Sequence, residues 1–336
     1  MNMRSVCVCL AFAVVQLPAA DRELNVAAEI SVSQEADTAW NNFIKQADAS
    51  HRDGRLPDAE ASAKRALALA KRFPRSDPRV AASYYLLASV YRSWGKCAES
   101  RSNYGHAVTL ILKQPDAKPK YVFNAIVGLI GEATECDDVA VAQKLYRTHA
   151  AALQRLRSTP SDDAKILSLQ GCIARGRKRY AEAEDYYRRA IGILEGSGAP
   201  PSYMAELRSS RAVMLSLLKR HTEALAEALS SIALLESISP RYLTLPSALN
   251  NAACTLAQLG RKAESERMYQ RALELAKELY GEDNRNTARI MINYAGLLRD
   301  NKETPAAETL RKNGVEAYRR SLVHDSQTVD VEDLRK

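Results

Sequence analysis

Glycine and proline are scarce, 14 and 12 among 336 residues. A fold built of many short strands needs such turn residues every few positions, and a disordered chain is usually rich in them, so this composition fits neither. Aromatics are also few, with two tryptophans and four phenylalanines. The sequence holds no HExxH, no GxSxG, no glycine-rich phosphate loop and no dinucleotide fingerprint. Its five histidines, His51, His106, His149, His221 and His324, are not spaced as metal ligands, and no CxxC pair occurs outside the N-terminal segment or within it. The expectation is a protein that is not an enzyme, with no cofactor and no metal site.

What is present is apolar and charged material, 46% and 26% of residues, with abundant alanine, the strongest helix former. An all-α protein follows. The formal charge of +8 permits an acidic partner without requiring one. At the N-terminus, "MNMRSVCVCLAFAVVQLPAAD" places one arginine before an apolar run from Val6 to Val15. That run is too short to span a bilayer but suits a secretory signal, residues 1–20, with cleavage after Ala19 or Ala20. Export to the periplasm or beyond is expected, with a cytoplasmic location as the alternative. Residues 21–37 show weak periodicity and form a lead-in. Beyond Cys7 and Cys9, the scattered Cys97, Cys136, Cys172 and Cys254 read as buried single thiols.

One pattern recurs down the rest of the chain. Counted from the turn residues Gly54, Gly95, Asp137, Lys178, Lys219, Gly260 and Lys302, the steps are 41, 42, 41, 41, 41 and 42 residues. Three columns of the pattern are small. Seven residues before each anchor stand Ala47, Ala88, Ile130, Gly171, Ala212, Ala253 and Ala295; five after, Ala59, Ser100, Ala142, Ala183, Ala224, Ser265 and Ala307; twelve after, Ala66, Ala107, His149, Ala190, Ser231, Ala272 and Gly314. All but Ile130 and His149 are Ala, Gly or Ser, which lets two antiparallel helices approach until their ridges interlock. Tyr104, Tyr146, Tyr187 and Tyr269 fall between the last two columns, where an aromatic would plug the gap between helix pairs. Breakers such as "FPRSDP", "STPSDD" and "YGEDNRN" separate the units, with Gly or Pro to stop one helix and Ser, Thr or Asp to cap the next.

These columns resemble the tetratricopeptide repeat, a helix–turn–helix unit, in the longer form of about 42 residues found in kinesin light chains and their bacterial relatives. The segment "SALNNAACTLAQLGRKAESERMYQRALELAKELYGEDN" at Ser247–Asn284 carries the resemblance best. HEAT and armadillo repeats share the period but not the three small columns. The resemblance implies a right-handed α–α superhelix of seven repeats over 38–321, near 40–80, 81–122, 123–163, 164–204, 205–245, 246–287 and 288–321, followed by a polar tail, 322–336. Stacked turns would bring Cys97 and Cys136 to neighbouring positions on one edge, where an oxidising compartment would allow a bridge.

In such a superhelix the first helix of each pair lines the concave face. Four residues after the first small column stand His51, Arg92, Thr134, Arg175, Ser216, Ala257 and Arg299. Sharing one face, His51, Arg92, Arg175 and Arg299 form a broken basic ladder that would grip carboxylates by charge-assisted bonds. The same cations also sit near helix C-termini, where the dipole favours them without any ligand. In related repeats, asparagines near Asn250, Asn251 and Asn293 reach the backbone of a bound peptide; they equally fit a structural role. The expected function is an interaction scaffold binding a peptide or protein partner, of acidic character, in the groove. The alternatives are an assembly component docking through its convex face or edge, and, less favoured, a nucleic-acid binder using Arg175, Arg177, Lys178 and Arg179, or a cryptic enzyme.

Overall fold

The computed structural model describes the backbone of residues 19–74, 77–114, 117–135, 138–302 and 304–327, with side chains between 34 and 321. Most of the signal segment, Cys136, Asp137 and the tail beyond 327 lie outside the described residues.

Among the described residues, fourteen helices pair into seven hairpins: α1 (Ala19–Arg52) with α2 (Leu56–Ala70), α3 (Pro78–Ser93) with α4 (Cys97–Leu112), α5 (Pro119–Glu135) with α6 (Val139–Leu156), α7 (Pro160–Gly176) with α8 (Tyr180–Leu194), α9 (Pro201–Leu217) with α10 (His221–Ile238), α11 (Leu245–Gln258) with α12 (Lys262–Tyr280), and α13 (Arg285–Asp300) with α14 (Thr304–Gln327). The lead-in, to which the sequence assigned no structure, is the first half of α1. Every anchor that the structure describes is the left-handed residue of its turn: Gly54, Gly95, Lys178, Lys219, Gly260 and Lys302 have φ between 59° and 75°. Breakers act as caps. Asp77 and Asn284 accept from the backbone N–H of the second residue of α3 and α13, and Thr159 forms a reciprocal capping box with Asp162 at α7.

The small columns are the hairpin interfaces. Ala47, Ala59, Ala66, Ala88, Ala183, Ala190, Ala253 and Ala272 are fully buried. Where serine replaces alanine, its hydroxyl is satisfied by a carbonyl of the facing helix: Ser100 donates to Ala88 at 2.9 Å, and Ser265 to Ala253 at 2.7 Å. Three of the four plugging tyrosines are buried too, and each of these meets the residue following the small one on the first helix; Tyr146, in the third hairpin, is only half-buried. Tyr104 bonds the Ser89 hydroxyl (3.0 Å), Tyr187 the Cys172 thiol (3.3 Å) and Tyr269 the Cys254 thiol (3.0 Å). The two free cysteines among the described residues are therefore parts of the packing.

The third hairpin departs where its sequence departs. Ile130 is fully buried among Phe123, Ile126 and Leu129, and the hairpin's second helix, α6, buries only Ala142 and Leu153. A larger side chain at the first small column keeps α6 from the close approach made elsewhere.

Successive first helices are tied by side-chain bonds between residues one repeat apart. Trp40 donates to Ser83, Lys120 to Asp162, Asn251 to Ser209 and Asn293 to Asn250, at 2.5–3.1 Å.

The superhelix also closes on itself. Leu56, at the start of α2, is fully buried in the cluster formed mainly by α10–α13, with Leu243 and Leu279, and not in that of its own hairpin. The turn of the second hairpin meets the loop before the last: Asn284 donates through Nδ2 to the Trp94 carbonyl at 2.6 Å, and α14 touches α4. A Cβ at Gly54 would stand 2.5 Å from Leu279 Cδ2, so a side chain here would push on the seam as well as strain the left-handed backbone.

Candidate functional site

Closure turns the concave face into a cavity of about 450 Å3, lined by the first helices of hairpins two to seven. Its charged residues are Arg92 from α3, Glu132 from α5, Arg175 from α7, Glu206 from α9, and Arg285 and Arg289 from α13. Four arginines against two glutamates leave an excess of two positive charges. Between them the wall is hydroxyl-rich, with serines of α7, α9 and α11 and Tyr203. The volume lies within the range of small-ligand and short-peptide sites, and the charge favours carboxylates.

Of the residues singled out from sequence, the structure brings Arg92 and Arg175 to this cavity. The rest of the basic ladder does not assemble. His51 lies behind Arg92, its Nε2 2.7 Å from the Ser93 hydroxyl. Arg299 points outward, 72% exposed and beside Asp300. The physical reason is the closure. By joining the end of α3 to the start of α13, it sets the cavity against the C-terminal end of α3 and the N-terminal end of α13. Arg285 and Arg289 face it as a result, and Arg299, four turns along, does not. The asparagines are engaged in the joints instead. Asn250 is buried, receives the Asn293 amide and bonds Asn251, and Asn251 reaches Ser209. Arg177, Lys178 and Arg179 are exposed at their turn, separated from inward-facing Arg175.

Sequence reasoning missed Glu206, Arg285 and Arg289. A signal was available thirteen residues before each anchor, where Asn41, Ala82, Asn124, Lys165, Glu206, Ser247 and Arg289 make a column that is polar in six of seven first helices. Two pairs in it bond across repeats, Lys165 to Asn124 (3.0 Å) and Arg289 to Ser247 (3.5 Å).

Two cysteines also touch the cavity, Cys97 and Cys172. Cys97 is disulfide-bonded and its Sγ accepts from Arg285 at 3.4 Å; Cys136 lies outside the described residues.

His51 gives the closure region a pH response. Burial, and then the Arg92 charge, push its pKa from 6.5 down to about 4, against a smaller opposing pull from Asp48. A His with a depressed folded pKa stays neutral in the fold while the unfolded chain takes up a proton. Its stabilisation is complete above pH 6.5 and is lost as pH falls from 6.5 towards 4. The expected loss is about 3 kcal/mol at most. Chemical denaturation at a series of pH values should show this slope in the parent and a flatter one in His51→Gln. The loss attached to Asp162 falls at lower pH. Burial raises that carboxyl, but bonds from Lys120, Ser158 and Thr159 prevail and hold it at about 2.

Two family models, each described as tetratricopeptide repeat, match this chain: one at 36–113, 203–278 and 244–320, the other at 164–193. Together they take in well over half of its length and leave out 114–163, the stretch with Ile130 and His149. No curated protein matches the sequence. Among solved structures, the Rap conjugation gene regulator of plasmid pLS20, in complex with the Phr* peptide, is 12% identical, covers 94% of this chain and 80% of its own, and has a TM-score of 0.69. A Rap protein complexed with competence and sporulation factor is 12% identical over 86% of this chain and 78% of its own, TM-score 0.63. The apo form of RapI is 11% identical over 84% and 98%, TM-score 0.58. At such identities the likeness is one of fold.

Proposed function

The chain belongs to the tetratricopeptide repeat family, and from that premise we propose that it is a non-enzymatic scaffold whose closed concave cavity takes a short, carboxylate-bearing segment of a peptide or protein partner. The observation that carries this reading is the convergence of Arg92, Arg175, Arg285 and Arg289, from three different hairpins, on one concave space. Arginine presents a fixed fork of donors, so several of them around one concave volume bind carboxylates more strongly than the same residues spread over a surface. Serine hydroxyls on the wall are suited to the peptide backbone. Two structures of the same fold hold a peptide or factor, which supports the class of ligand. Export, suggested by the N-terminal segment, would place the partner outside the cytoplasm.

The test is a random-peptide binding screen on the mature chain, run beside a variant with Arg92, Arg175 and Arg289 changed to Glu. The proposal expects enrichment of acidic peptides that the variant no longer retains. Enrichment that the variant keeps, or none at all, would move the partner to another surface.

A further inference from the structure

Three lysines occupy backbone positions that disfavour them. Lys178, Lys219 and Lys302 are the only non-glycine residues with positive φ among those described, at 59°, 61° and 68°. In equivalent turns the chain uses Gly54, Gly95 and Gly260. A side chain in the left-handed region costs about 1–2 kcal/mol, least for Asn or Asp, whose short polar groups bond locally. The chain keeps the penalty three times and each time uses lysine. A cation just past a helix C-terminus gains from the dipole, but that gain is equally open to the three turns that have glycine.

The lysines stand only on the side away from the closure, where Gly260 holds the one remaining described turn. Turns one and two are pressed against the C-terminal hairpins, whereas the turns of hairpins four to seven form a free edge; a Cβ at Gly260 would meet nothing within 4 Å. Along that edge the arginine opening each second helix is held by the glutamate three residues on: Arg179 with Glu182, Arg220 with Glu223, Arg261 with Glu264. Lys178, Lys219 and Lys302 are exposed, and among the described residues Lys178 and Lys219 enter no ion pair, so with exposed Arg177 and Lys262 they give the edge a net positive charge. Leu217, 48% exposed, stands two residues from Lys219.

We propose that this lysine edge docks the superhelix onto an anionic lipid surface. Three turn ammoniums spread over four repeats are too sparse to track the phosphates of a nucleic acid, which calls for a continuous basic path. A fluid sheet of anionic headgroups needs no such register, and each lysine near it adds about fivefold to binding. The exposed leucine would enter the headgroup boundary.

The experiment compares the full chain with Lys178→Gly/Lys219→Gly/Lys302→Gly by co-sedimentation with phosphatidylcholine vesicles, with and without phosphatidylglycerol, at low salt. Glycine relieves the backbone, so the variant is expected to melt at or above the parent temperature. Lost binding then cannot be blamed on unfolding. Its partition onto the anionic vesicles is expected to fall on the order of a hundredfold, with neither protein binding neutral vesicles. The corresponding asparagine variant, with the charge gone but no glycine added, must lose binding equally. Unchanged binding by the variants, no binding by the parent, or parent binding to duplex DNA or polyphosphate but not to vesicles would each overturn the assignment.

Discussion

Leu56→Asp is expected to open the superhelix. Leu56 is the apolar residue that the first hairpin inserts among Leu243 and Leu279 of the C-terminal hairpins, and it is fully buried there. Removing its packing costs about 2–5 kcal/mol, and a buried unpaired carboxylate adds to that. The hairpins keep their own interfaces, because stability in a repeat array is largely a sum of neighbouring contacts. The seam fails first. Small-angle scattering should show a larger radius of gyration with helix content preserved by circular dichroism. Trp94, whose ring packs against the C-terminal cluster and whose carbonyl receives Asn284, should shift its emission to the red. A variant that unfolds globally, or stays as compact as the parent, would refute the closure. Asn284→Ala is the milder companion: it removes the seam bond and the α13 cap, for about 1–2 kcal/mol.

Tyr187→Ala is expected to cost about 3–5 kcal/mol, near the most that a single core truncation removes. The ring is fully buried and fills the space that Gly171 leaves; a Cβ at 171 would lie 2.8 Å from it. Tyr187→Phe keeps the plug and gives up the hydroxyl's bonds to the Cys172 thiol and Ser210, so about 1 kcal/mol should be lost. Equilibrium urea unfolding measures both. Equal losses in the two variants would mean that the hydroxyl, not the ring, is what the site requires.

Both predictions bear on what a sequence can disclose. The period, the turn positions and the three small columns were legible because each repeats a local requirement: a left-handed turn residue, or a helix approach too close for more than a methyl group. Even the departures were legible, since Ile130 and His149 mark the hairpin whose second helix packs least. The closure was not. Leu56 meets Leu243 and Leu279 across some two hundred residues, and nothing in the period distinguishes Leu56 as a residue bound for another hairpin's core. Because the seam decides which ends of the first helices face the cavity, the ladder drawn from one column was only half assembled. Arg92 and Arg175 were found; Arg299 was included by periodicity and points away; Arg285 and Arg289 were passed over. The asparagines show a different ambiguity. Their mid-helix position signals a polar obligation, but Ser209, Asn250 and Asn251 of neighbouring repeats meet it.

The cysteines offer the most direct measurement of where the partner binds. Cys172 lines the cavity, while Cys254, its counterpart two hairpins on, does not. Alkylation of the two thiols would be followed by mass spectrometry, with and without a saturating acidic peptide from the screen. The account predicts that the peptide slows modification of Cys172 and leaves that of Cys254 unchanged. Modification of Cys172 at an undiminished rate, with the peptide demonstrably bound, would contradict it.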